Sequence, residues 1–222
     1  MDSSNINFNM NSKCEVFIEE DSSVYKSSIQ DMGKGYIGIS IPVCNGKYAP
    51  LSENQQVTVV YYDKNNLYGF NANVIGRKKD KIPIILLSMP EDIKKVQRRK
   101  FFRVNLLKEV EYLKADKNIS DSTFNELIKN PKNFKKALMI DLSGGGLRLK
   151  TKEEIKLGDR FIIKIPLQQE EIFVIDDCVR VYKDTDSNLY VSGFSFVNID
   201  TKVQDKIIAY LFWIMREQMK KI

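Results

Sequence analysis

The chain has 222 residues, a formal net charge of +6 and no histidine, which removes Ser–His and Cys–His nucleophilic pairs and every histidine-based metal site. With 43% hydrophobic and 29% charged residues it has the balance of a folded globular chain, long enough for one large domain or two small ones, and wholesale disorder is excluded. The basic excess mildly favours anionic partners without identifying a nucleic-acid binder, and no apolar run approaches the roughly eighteen residues of a transmembrane helix.

The start, "MDSSNINFNMNSK", lacks the basic-then-apolar layout of a signal peptide, so a cytoplasmic protein is expected, with residues 1–11 as a flexible N-terminus. Residues 12–90 read as a compact all-β domain. "CEVFIEE", "GYIGISIPV", "QQVTVVYYD" and "LYGFNANVIG" alternate with period two and are rich in β-branched and aromatic residues, and "KIPIILLSMP" adds one more strand, ended by Pro90. "NGK", "DKNN" and "KKDK" are the turns between them. Cys14, Cys44 and Cys178 form no CxxC pair and read as buried reduced thiols.

Residues 91–98 read as a linker, short and polar behind Pro90. Residues 99–222 form a second β series: "FFRVNLL", "KALMIDL", "GLRLK", "RFIIKIPL", "EIFVIDDCVRVYK" and "LYVSGFSFV". A polar insertion over roughly 114–136 carries a short helix at "STFNELIKN". The segment from Asp200 to Lys220 reads as a helix capped by Asp200 or Thr201. Val203, Ile207, Leu211 and Met215 share a face, while Ile208, Phe212 and Trp213 widen the apolar arc. That arc either caps the second barrel or in part meets a partner or a second copy.

Two stretches carry chemistry. In "KKVQRRKFFRV" six cationic side chains fall within residues 94–103, interleaved with Phe101 and Phe102. Nucleic acid, a membrane surface and a small phosphorylated ligand are all open on this stretch alone. In "MIDLSGGGLRL" a strand runs into a glycine turn and out again. Asp141 and Ser143, two apart, project to one side of extended backbone. Gly144, Gly145 and Gly146 permit positive φ and close approach of a ligand, with Gly144 and Gly145 read as turn geometry alone. No lysine follows at P-loop spacing.

Together, Arg99-x-x-x-Arg103 before a strand and Asp141-x-Ser143-x-x-Gly146 on an antiparallel neighbour resemble the PilZ domain, the bacterial receptor module for cyclic di-GMP. "VSGFSFVNIDTKVQDKII" is similar to that family's last strand and closing helix. The first half, ending "ILLSMPEDIKKVQRRKFFRV", is similar to the N-terminal partner domain of the flagellar-brake type. The resemblance implies an all-β fold of two barrel-like domains, the second a six-stranded barrel with a closing C-terminal helix. It implies a non-enzymatic receptor without a cofactor, whose ligand, cyclic di-GMP, is held by Arg98, Arg99, Arg103, Asp141, Ser143 and Gly146. The signal passes by domain rearrangement to a protein partner such as a flagellar motor or stator component, with control of exopolysaccharide synthesis as the alternative output.

The residue chemistry agrees. Guanidinium groups fork onto phosphate or the guanine O6/N7 edge and stack on bases. A carboxylate accepts the N1–H and N2–H donors that guanine offers and adenine does not. A single-stranded nucleic-acid-binding barrel using Phe101 and Phe102 as a stacking platform is the alternative of another class. Against it, the two rings alternate across a strand and the glycine turn goes unused. A carboxylate hydrolase has no paired acidic site to stand on.

Overall fold

The computed structural model describes residues 6–19, 21–64, 66–79 and 82–220. The chain divides into two compact units, Met1–Arg98 and Arg99–Ile222. Among the described residues no helix is long and apolar enough to cross a membrane.

Unit 1 contains strands β1 (Lys13–Ile18), β2 (Asp21–Gly33), β3 (Tyr36–Ser40), β4 (Val43–Cys44), β5 (Lys47–Tyr48), β6 (Gln56–Asp63), β7 (Asn66–Lys79), β8 (Pro83–Ser88) and β9 (Ile93–Lys95). Six of them follow one another as β1-β6-β7-β8-β3-β2, and antiparallel pairing of β1 with β2 closes the ring. Alternation turns one face of each strand inward, so Val16, Ile29, Ile37, Ile39, Val59, Tyr61 and Leu87 form a fully enclosed core. The expected turn at "NGK" joins β4 to β5, with Asn45 and Gly46 both at positive φ as a two-residue hairpin requires. The expected turns "DKNN" and "KKDK" fall partly on residues 65, 80 and 81, outside the described residues.

Three expectations for this half need correcting. Residues 1–5 of the expected flexible N-terminus lie outside the described residues, but Phe8 is buried, edge-on to Tyr61 at 4.9 Å and Phe70 at 5.5 Å. The Asn9 amide donates to the Tyr61 hydroxyl at 2.8 Å, which fixes the chain where it enters β1. The segment read as a linker is strand in part: β9 pairs with β7, matching Ile93 to Phe70 and Lys95 to Tyr68, and Val96 N donates to Leu67 O at 2.8 Å. Finally, Cys44 is only half-buried, whereas Cys14 and Cys178 are enclosed and burial pushes the Cys14 thiol up to about 12.

Unit 2 contains β10 (Arg103–Ala115), helix α1 (Asp121–Lys129), β11 (Lys135–Ser143), β12 (Gly146–Thr151), β13 (Arg160–Pro166), β14 (Glu171–Lys183), β15 (Tyr190–Phe196) and helix α2 (Thr201–Met219). The strands close as a six-stranded antiparallel barrel in the order β10-β11-β12-β15-β14-β13. Met139, Leu142, Leu149, Ile163 and Ile165 fill it, and Ile207, Tyr210 and Leu211 of α2 join the same core, so the helix closes the barrel. Asp200 caps α2, its carboxylate accepting the Lys202 amide at 2.8 Å. Met215 is 38% exposed, because each four-residue step on a helix of 3.6 residues per turn rotates the face by about 40°. The inward arc is therefore completed by Tyr210 rather than by Met215.

Candidate functional site

The register of the first two barrel strands builds the site. Arg103, the first residue of β10, is the Cα partner of Ser143, the last residue of β11, and Asn105 is the partner of Asp141. On the other side Asp141 faces Arg148 and Ser143 faces Gly146 across the turn into β12. A register shift between Met139 and Asp141 lets Met139 and Leu142, three residues apart, both point into the barrel. Asp141 and Ser143 are thereby turned to the opposite side.

Asp141 is nearly enclosed, at 3% exposure. Its Oδ2 accepts from Arg148 Nε at 2.5 Å, and Arg148 keeps about a third of its side chain in solvent. A charged, hydrogen-bonded partner offsets the cost of enclosing a carboxylate. Ser143 serves the turn itself. Its hydroxyl donates to Gly146 O at 2.9 Å and accepts from Gly145 N at 3.3 Å, so toward a ligand it offers a lone pair before it offers a proton.

The three glycines are not equivalent. Gly146 has φ +154, and a Cβ there would lie 2.0 Å from the carbonyl oxygen of Phe194 on β15, so no other residue fits that approach of two strands. Gly144 and Gly145 form the turn, as expected, but without occupying the left-handed region. The ring of Phe101 lies 2.7 Å from a Cβ built on Gly144, too close for a side chain without a shift, and 3.1 Å from one built on Gly145, where the ring would have to give by a few tenths of an ångström. Phe102 packs against Phe212 of α2 at 5.0 Å. The two rings of the basic stretch thus sit against different neighbours, Phe101 over the glycine turn and Phe102 beside α2, rather than side by side as one stacking platform.

Of the six expected residues, Arg99, Arg103, Asp141, Ser143 and Gly146 lie in unit 2, where Arg99 and Arg103 are exposed. Arg98 ends unit 1. Its NH1 donates to Glu15 Oε2 at 2.5 Å, and its guanidinium lies 5.5 Å from the Phe17 ring centroid. Tyr62 donates to the other Glu15 oxygen at 2.6 Å. Burial works to raise the Glu15 pKa, but the hydrogen bonds from Tyr62 and Arg98 and the Arg98 charge outweigh it and hold the carboxyl below its usual value.

Two further cations were not singled out from sequence. Arg148 and Arg180 flank Gly193, which is the Cα partner of both, and a Cβ at Gly193 would meet Arg180 Cβ at 3.5 Å and Arg148 Cγ at 4.0 Å. Arg148 lay inside a stretch read only as strand, and nothing local reveals its pairing with Asp141 across β11 and β12. Chemically, unit 2 presents one enclosed carboxylate paired with the Arg148 guanidinium, with Arg103 opening the neighbouring strand opposite Ser143. Such a set suits an anionic ligand that also offers N–H donors.

In comparison with known families, residues 9–90 match the one described as flagellar protein YcgR, and residues 97–213 match the PilZ domain. The Bacillus subtilis (strain 168) protein YpfA is 24% identical over 190 residues, covering 83% of this chain and 81% of that protein. The structure of the Bacillus subtilis inhibitor of motility (MotI/DgrA) superimposes with a TM-score of 0.74 at 23% identity, covering 97% of this chain and 99% of that one. Escherichia coli YcgR in complex with c-di-GMP gives a TM-score of 0.53 at 14% identity, over 95% of this chain and 87% of that one. At these identities the structural likeness is one of fold.

Proposed function

The chain belongs to the PilZ family, with a YcgR-type N-terminal domain ahead of its PilZ domain, and from that premise we propose that it is a cyclic di-GMP receptor that controls motility. One observation carries the reading. The arginine motif opens β10 in register with the Asp141-x-Ser143-x-x-Gly146 turn, Arg103 opposite Ser143, so guanidinium and carboxylate chemistry meet at one edge of the barrel. Escherichia coli YcgR, of the same fold, is crystallised with this ligand.

In this account Arg99 and Arg103 fork onto phosphate and guanine. Asp141, held in place by Arg148, accepts the guanine N1–H and N2–H. Ser143 contributes a lone pair, and Gly146 keeps the two strands close enough to shape the turn. Arg98 joins the ligand after giving up Glu15. Because Arg98 closes unit 1 and Arg99 opens unit 2, a ligand that engages both changes how the units are arranged, a hinge-type switch. The ligand shifts that equilibrium only by its difference in affinity for the two arrangements. The protein acts in the cytoplasm without catalysis, and its partner is a flagellar motor component.

Calorimetric titration with cyclic di-GMP and cyclic di-AMP tests the reading. Binding at micromolar affinity or better, about 8 kcal/mol, is expected for the guanine ligand, with far weaker binding of the adenine one, whose edge leaves the Asp141 charge unmet. Equal affinities would show that phosphate contacts dominate and that Asp141 has another role. Small-angle scattering then tests the switch, since superimposable curves with and without saturating ligand contradict a change of arrangement.

A further inference from the structure

Phe101 stands midway between Arg99 and Arg103, and its ring has an unusual seat. The Cδ1 and Cε1 edge faces Gly144, where a Cβ would come within 2.7 and 3.1 Å. The Cδ2 and Cε2 edge faces Gly145, where a Cβ would come within 3.1 and 3.5 Å. The ring therefore straddles the turn, with one edge over each glycine. Neither glycine is in the left-handed region, so the backbone alone would accept alanine at both positions. Their bareness is explained by the ring.

The seat is itself held. Gln204 of α2 donates to Gly144 O at 2.7 Å, the Phe196 amide donates to Gly145 O at 3.1 Å, and Ser143 ties the turn from within. A ring laid on a fixed turn fixes the backbone that carries it. Arg99 and Arg103, two residues to either side, are then brought to the edge where Asp141 and Ser143 lie before any ligand arrives.

We propose that Phe101 is a positioning residue of the binding site, and that Gly144 and Gly145 are glycines in order to receive it. The proposal rests on the cyclic di-GMP reading and deepens it. Without the ring the arginine segment must be ordered at the moment of binding, and that conformational cost is subtracted from affinity. With the ring in place the cost is met during folding.

The test is a double-mutant cycle on the full chain, read by calorimetry with cyclic di-GMP and cyclic di-AMP. Phe101→Ala and Gly144→Ala are each expected to weaken binding about tenfold, equivalent to about 1.4 kcal/mol. The double variant is expected to be no weaker than Phe101→Ala alone, since a Cβ at position 144 meets no ring once the ring is gone. Phe101→Tyr, which keeps the ring, should bind like the unaltered chain. The preference for guanine over adenine should be the same in every variant, because Asp141 is untouched. The same non-additivity should appear without ligand in urea unfolding followed by the fluorescence of Trp213, which lies in unit 2. Additive losses in affinity would overturn the proposal by showing that Gly144 meets the ligand directly, and tighter binding by Phe101→Ala would overturn it by showing that the ring is a cover. If the unaltered chain binds neither dinucleotide, the receptor reading fails and the positioning role with it. Binding with additive losses removes the positioning role alone.

Discussion

Replacing Arg148 with alanine probes whether Asp141 is built to be a charge. Breaking a fully buried ion pair costs about 3–5 kcal/mol, while an exposed pair contributes about 1 kcal/mol or less. Here the Asp141 side chain is 4% exposed and the Arg148 side chain 36% exposed, at 2.5 Å, so the loss should fall between these limits, at about 2 kcal/mol. Two-unit chains seldom unfold in one step, but the chain has a single tryptophan. Trp213 stacks on Tyr210 at 5.9 Å within unit 2, so its fluorescence during urea unfolding reports that unit alone. Arg148→Ala, Asp141→Asn and the double variant complete a cycle whose coupling should equal most of the 2 kcal/mol expected for the pair. If the two single losses simply add, the pair is not coupled and Asp141 is stabilised by something else. In titrations, Arg148→Ala should also lose much of the guanine preference, since the carboxylate is no longer held in place.

Glu15→Gln removes the charge that retains Arg98, and because that ion pair is partly exposed, with 34% and 19% of the two side chains in solvent, cyclic di-GMP should bind about two- to fivefold tighter. Unchanged affinity in that titration means that Arg98 does not leave Glu15 for the ligand. Asp176, buried in β14, has neither carboxylate oxygen hydrogen-bonded among the described residues. Burial, reinforced by the neighbouring Asp177 charge, pushes its pKa well above the usual 3.8. The folded state therefore keeps a proton that the unfolded state releases, so this contribution to stability is full below the unfolded value and is lost as pH rises toward the folded one. Unit 2 should be less stable at pH 8 than at pH 5 by an amount that Asp176→Asn abolishes, measured by Trp213 unfolding, and parallel pH profiles for the two proteins would refute this.

The strands of both barrels that alternate cleanly were legible, and those that do not were missed. β2 turns only Tyr25 and Ile29 fully inward along thirteen residues, with serines between and a register shift near Asp31, so its period of two is hidden. β9 is three residues of an exposed edge whose strand character comes from backbone pairing to β7, and backbone pairing leaves no mark on composition. Beyond Leu107, β10 continues through Lys108, Glu109 and Glu111, and Lys108, in step with Val110 and Tyr112 and bonded to the Tyr210 hydroxyl, puts a charged residue into the inward row and hides its apolar pattern. At the site, the arginine and Asp-x-Ser motifs were visible because their residues are near neighbours in sequence. Arg148 on Asp141, Phe101 on Gly144 and Gln204 on Gly144 are contacts made by the closing of the barrel, and no spacing announces them. Gly144 and Gly145 show the difference most plainly, since glycine marks the turn but not the ring above it.

The central claim is that the arginine motif and the Asp141 turn form one cyclic di-GMP site. Isothermal titration of the unaltered chain, Arg99→Ala and Arg103→Ala tests it most directly. The account predicts micromolar or tighter binding by the unaltered chain and a loss of about 2–3 kcal/mol, roughly a hundredfold, in each variant, the value of a charge-assisted hydrogen bond with its partner left unpaired. Near-identical titrations for all three proteins, or no heat from the unaltered chain at saturating ligand, would contradict it.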